Sequence, residues 1–242
     1  MGKIIAVTSG KGGTGKTSFT AAVASQLSLK RKRVLCVDMD VGLKNLDLSL
    51  GMSDRVMMDF SDVVFGRCLL SDAAAQHPEY PDLYLLTAPL YYDDDLKAQS
   101  IIPLVESASR LFDFVFLDAP AGVGRGFHMA TIAATSAIVV STTDASAMRD
   151  ARRAVEELYH VETVQLVMNR VQPKIMKKLG ANLDDAMDKV GLQLLGVVPE
   201  DSNVMIYANQ GKILSGKTGA AQAYGNIANR LLGNYTPLMN FK

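Results

Sequence analysis

Short runs of apolar, β-branched residues alternate along this chain with longer stretches of helical periodicity. The runs at 3–8, 33–38, 83–87, 114–118, 137–141, 164–168 and 194–198 are mostly apolar throughout, with little polar alternation. Strands of that kind are covered on both faces. Helices are expected near 16–30, 56–65, 68–75, 95–111, 127–134, 145–159, 182–190, 202–209 and 218–232. In the last of these, Ala220, Ala223, Tyr224, Ile227, Ala228, Leu231 and Leu232 share one face, and Gly233 is placed to end the helix. The alternation predicts an α/β fold, a doubly wound and mostly parallel sheet with helices on both faces. Ligands of such sheets bind beyond the carboxyl ends of the strands. No repeat or Pro/Gly-rich linker breaks the pattern, so 1–242 reads as a single domain ending in a short tail, 234–242.

Composition narrows the function. Lys plus Arg and Asp plus Glu are both 25, a formal charge of zero, so the basic excess of a nucleic-acid binder is missing and none is expected as a partner. Cys36 and Cys68 stand far apart in no metal-ligand spacing, and Cys36 falls inside an apolar run where a buried, inert thiol is expected. The apolar run after Met1-Gly2-Lys3 is too short for a signal peptide, and no stretch has the length of a membrane span. A cytoplasmic protein is expected.

The strongest chemical signal is Gly10-Lys11-Gly12-Gly13-Thr14-Gly15-Lys16-Thr17, which fits G-x-x-x-x-G-K-[ST] between an apolar run and a helical stretch opening at Ser18. Glycines let successive backbone N–H groups turn towards phosphate oxygens, and the following helix adds unsatisfied donors and partial positive charge. Lys16 is expected on the β- and γ-phosphates of ATP and Thr17 on Mg²⁺. The alternative is a Gly-rich turn that happens to precede a helix. Lys11, a second lysine in the loop, is either a solvated charge or a contact to a phosphate from another direction.

Asp38 ends one strand run and Asp40 follows it; Asp118 ends another. Carboxylates at strand ends beside a phosphate loop can serve the metal's water shell and an attacking water. Turn or cap aspartates are the plain alternative for Asp38 and Asp40. A hydrophobic run ending in an aspartate, as at Asp118, is a weak metal signal by itself. The glycines at 122, 124 and 126 suit a segment that rearranges. Asn169-Arg170 and Pro199-Glu200-Asp201 read as ordinary loops after strands.

Lys11 to Thr17 resembles the deviant Walker A motif of the MinD/ParA ATPases, P-loop proteins, and the resemblance runs from Lys3 to about Gly233. It is closest to the septum-placing branch, through Asp40 with Gly42-Leu43, Asn45-Leu46-Asp47-Leu48, Pro120-Ala121-Gly122, Arg149-Asp150 and Asn209-Gln210-Gly211. The resemblance implies a Mg²⁺-dependent ATPase, holding ADP after hydrolysis, that forms an ATP-dependent homodimer with Lys11 reaching the partner's nucleotide. It implies that Asp38 and Asp118 steady the metal, that Asp40 activates water, and that Asn169, Arg170, Pro199, Glu200 and Asp201 line the adenine end. It also implies a regulatory protein partner at the 145–159 helix, around Arg149, Asp150 and Asn45; the plain reading there is a solvated charged face. Septum-placing members end in a basic amphipathic helix, whereas 234–242 has one basic residue and a proline. Membrane contact by this tail is not expected, although the family acts peripherally at the inner face of the cell membrane. Flagellar-number regulators and DNA-partition ATPases of the same family are the alternatives.

Overall fold

The computed structural model describes residues 1–178, 182–214 and 216–239. Among these, eight strands form one sheet: β1 (Lys3–Thr8), β2 (Val34–Asp38), β3 (Ala75–Gln76), β4 (Leu83–Leu86), β5 (Phe114–Asp118), β6 (Ser136–Ser141), β7 (Thr163–Val171) and β8 (Leu194–Pro199). Their spatial order is β3-β4-β2-β5-β1-β6-β7-β8, and only the pairing of β3 with β4 is antiparallel. β1 lies mid-sheet between β5 and β6, so the chain winds outward from it in both directions. The carboxyl end of β1 is thus the crevice where a doubly wound sheet takes its ligand.

The helices are α1 (Lys16–Ser28), α2 (Leu46–Leu50), α3 (Phe60–Val64), α4 (Leu70–Ala73), α5 (Ile102–Leu111), α6 (Arg125–Thr131), α7 (Ala145–Glu156), α8 (Pro173–Lys178), α9 (Leu183–Val190), α10 (Ser202–Asn209) and α11 (Gly219–Leu231). They form two layers because the strands are apolar on both sides. Ile4 and Ala6 of β1 join one core with Val105, Phe127, Ala151 and Val190, from α5, α6, α7 and α9. Ile5 and Val7 join the other with Phe19, Leu27, Leu46, Tyr224 and Ile227, from α1, α2 and α11. α1 is buried nearly all round, as a helix held between the sheet and a further helix must be.

Several expected boundaries move for local reasons. β7 runs past 168 to Val171, so Asn169 and Arg170 lie in the strand and not in a loop after it. Its register with β8 shifts between Met168 and Val171, and Arg170 takes a φ of 55° there. The expected 95–111 helix starts as a 3-10 turn at Ala98–Ile101, and α5 follows with a proline in its first turn, where a missing N–H costs nothing. The stretch at 56–65 shortens to α3, fixed at its start by a capping box between Asp59 and Asp62. The 68–75 stretch ends early, and Ala75–Gln76 becomes β3. α2 and α8 are unexpected; both are too short for a periodic pattern to register. The tail lies on the body as far as Met239, where Arg230 donates to the carbonyls of Thr236, Pro237 and Leu195 at 2.9, 2.8 and 2.8 Å. The rest of the expected tail, 240–242, lies outside the described residues.

Candidate functional site

Residues 9–15 join β1 to α1 across the mid-sheet crevice. Gly15 is the N-cap of α1 at φ 88°, and a Cβ there would lie 2.4 Å from the Asn169 amide nitrogen, so only glycine fits. Gly10 is required for a different reason. A Cβ on it would come within 1.9 Å of the Asp150 carbonyl oxygen, because the start of the loop lies directly against α7. α1 has no side-chain cap, so its first-turn N–H groups, including those of Lys16, Thr17 and Ser18, stay available to an anion. The Thr14 hydroxyl is buried in the loop without a partner. Lys16 is only 8% exposed, which holds its ammonium inside the crevice and out of bulk water.

The three aspartates converge on this loop. Asp38 and Asp118 are register partners on the adjacent strands β2 and β5, and Asp118 also pairs in register with Val7 of β1. Asp118 accepts from the Thr17 hydroxyl at 2.7 Å and from the Thr20 hydroxyl at 3.0 Å. Asp38 accepts from the backbone N–H of Asp40 at 2.9 Å and of Leu46 at 3.1 Å, so its carboxylate folds the 38–46 segment onto the site. Burial pushes the Asp38 carboxyl up to about 7, Asp118 adds to the push, and the two N–H donors oppose it. Burial also raises Asp118 to about 6, against the pull of Lys16 and the two threonine hydroxyls. Asp40 is half-buried; desolvation raises it and Lys16 lowers it.

Two buried carboxylates side by side with raised proton affinity form a place that gains from a cation. Among the described residues no three His, Cys, Asp or Glu side chains gather as a metal site. That donor set suits Mg²⁺, which takes few protein oxygens and keeps water or phosphate oxygens for the rest of its octahedron. Thr17 with Asp118, and Asp38 beside them, could hold it. Thr20 was not anticipated. Its only trace in the sequence is a spacing of three from Thr17, which puts both hydroxyls on one helix face.

The residues expected at the adenine end divide between the loop and the helices beside it. The Asn169 amide donates to the Thr14 carbonyl at 2.7 Å, strapping β7 to the loop. Arg170 donates to Glu200 at 2.8 Å and to the Gly13 carbonyl at 3.4 Å. Arg170, Glu200, Gly13, Thr14 and Lys11 line one cavity of about 380 Å³. Pro199 lies against Gly219, at the start of α11. Asp201 is engaged elsewhere: it caps α10 through Asn203 at 3.0 Å and reaches Ala220 of α11 at 3.3 Å. Lys11 donates to the Ser146 hydroxyl at 3.0 Å in the first turn of α7, and Arg149 and Asn45 are exposed.

A glycine-shaped phosphate cradle, a buried lysine and in-register carboxylates at the switch point of a doubly wound sheet define a P-loop nucleotide-binding protein. Residues 5–214 match the CobQ/CobB/MinD/ParA nucleotide binding domain. The septum site-determining protein MinD of Bacillus subtilis is 38% identical over 98% of this chain and 92% of its own length. The Escherichia coli K12 protein of that name is 34% identical over 98% and 93%. In a MinC:MinD cell division complex from Aquifex aeolicus, one chain matches with a TM-score of 0.91 and 31% identity, over 99% of each chain. MinD of Pyrococcus horikoshii, solved with Mg-ADP, matches at 0.84 and 26%, over 96% of each. The chain belongs to the MinD/ParA family of nucleotide-binding ATPases. Similarity to a ParA-family ATPase of Chlorobium tepidum, at 18% identity, reflects the shared fold.

Proposed function

We propose that this chain is a septum site-determining ATPase whose nucleotide state decides whether two copies pair. Lys16 and the backbone donors of 10–18 hold the phosphates of ATP. Thr17 and Asp118, with Asp38 behind them, would hold Mg²⁺, which would neutralise phosphate charge there. Asp40 sits at the open edge of the crevice, close enough for Lys16 to lower its proton affinity. It orients the attacking water and accepts its proton. Asn169, Arg170 and Glu200 close the base end.

The observation that carries the switch reading is Lys11. Its ammonium reaches outward to Ser146 on α7, while Lys16 alone occupies the interior of the same loop. A cation held at the rim is placed to meet the nucleotide of a second copy. Light scattering of Asp40→Ala with ATP should give a dimer, and Lys11→Ala in the same background a monomer. A dimer that persists without Lys11 would refute the trans role. Gly10 against Asp150 joins the loop to α7, and the Aquifex relative is found with MinC. We therefore also place a regulatory protein partner on α7, around Arg149, Asp150 and Asn45.

A further inference from the structure

The segment 89–96 touches both walls of the crevice beyond the phosphate loop. On one side the Gly42 N–H donates to the Pro89 carbonyl at 3.2 Å, two residues from Asp40. On the other, Arg125 at the start of α6 donates to the Asp93 carbonyl at 3.1 Å and also to the Leu96 carbonyl. Its guanidinium lies 4.6 Å from the centroid of the Tyr92 ring. The Tyr92 hydroxyl in turn sits over Gly126, where a Cβ would meet it at 2.8 Å and Pro120 at 2.5 Å. Tyr92 is within electrostatic reach of the hydrolytic wall: burial raises its phenol, Arg125 lowers it, and Asp40 adds a further push upward.

We propose that Arg125 is a positioning residue for hydrolysis, latching segment 89–96 to the loop after Asp118 and, through Gly42, to the Asp40 segment. No side chain of the latch needs to touch nucleotide. The two walls of the hydrolytic site are separate segments of the chain, each turning at a positive-φ glycine, Gly42 at 95° and Gly122 at 81°. Arg125 ties them together with two hydrogen bonds and a cation–π contact made by one planar group. Its loss affects the placement of Asp40 relative to the phosphates and spares the cradle that binds them.

The proposal rests on the ATPase reading, and its test separates the two: a wild-type chain without Mg-ATP hydrolysis would refute that reading, whatever the variants do. In steady-state ATPase assays, Arg125→Ala should lower kcat roughly tenfold while KM and ADP affinity stay within about twofold. Arg125→Lys keeps the charge but not the fork or the stack, and should behave like Arg125→Ala. Tyr92→Phe keeps the ring and should retain most of kcat, whereas Tyr92→Ala should match Arg125→Ala. The double variant should be no worse than either single one, as coupled partners are. Arg125 and Tyr92 are exposed, so these variants should lower the urea midpoint only slightly and stay fully folded under assay conditions. An unchanged kcat in Arg125→Ala, a loss shared equally by ADP affinity, or wild-type kcat in Arg125→Lys would overturn the latch.

Discussion

At the scale of single residues, the site is a balance between buried acids and the cations that offset them. Lys16→Ala removes the only buried ammonium of the loop, and should weaken ATP binding at least about a hundredfold by fluorescent-nucleotide titration. Retained affinity would sink the loop assignment. Asp118 makes a less obvious prediction. Its folded-state value, about 6, is above that of an unfolded aspartate. Its contribution to stability is therefore fully present below about pH 4 and lost as pH rises through about 6. Asp118→Asn keeps a group that can bond to Thr17 and Thr20, and does not charge. The nucleotide-free variant should gain about 1–2 kcal/mol over wild type at pH 8, with no gain at pH 4, by urea unfolding. With Mg-ATP present the order should reverse. A variant less stable than wild type at pH 8 without nucleotide would show that burial is not what raises this carboxyl.

At the scale of elements, the junctions between strand ends and helix starts decide where each acid points its bonds. Asp201 illustrates this. The family resemblance implied a place for it at the adenine end, whereas its side-chain oxygens cap α10 and meet the first turn of α11. Asp201→Ala should cost about 1–2 kcal/mol in urea unfolding, the ordinary loss of an N-cap, and leave KM for ATP within twofold. A large rise in KM with unchanged stability would restore the nucleotide role. β7 makes the same point in the opposite sense. Its extension to Val171 and the slipped register beside β8 turn Asn169 and Arg170 towards the loop. A periodicity argument ends the strand at 168, where the apolar run stops, although backbone pairing continues.

At the scale of the whole molecule, this chain is a septum site-determining ATPase of the MinD type, and the packing of its tail bears on the surfaces it can meet. No described helix is long and apolar enough to cross a membrane. The described part of the tail is pinned to β8 and α11 by Arg230. ATPase activity should therefore change less than twofold when vesicles containing about a third anionic lipid are added to this chain. A several-fold stimulation would show that the tail leaves the body. Non-specific DNA should not shift the ATP-bound chain in a gel, in keeping with zero net charge.

The sequence by itself determined the layers of the fold and the place of the phosphate site. Strands apolar on both faces admit only a sheet covered on both sides, and a glycine loop between β1 and α1 has few other uses. The motif itself named Lys16 and Thr17, while Lys11, Asp38, Asp40 and Asp118 were singled out among open alternatives by the family resemblance. Only the tertiary structure decided where each acid lies and what it bonds to. It placed Asp38 beside Asp118, joined Thr20 to Asp118, sent Asp201 to a helix cap and closed Arg125 over Tyr92. The reason is physical: such contacts join residues far apart in the chain, and hydrogen bonding between them leaves no periodicity in the sequence.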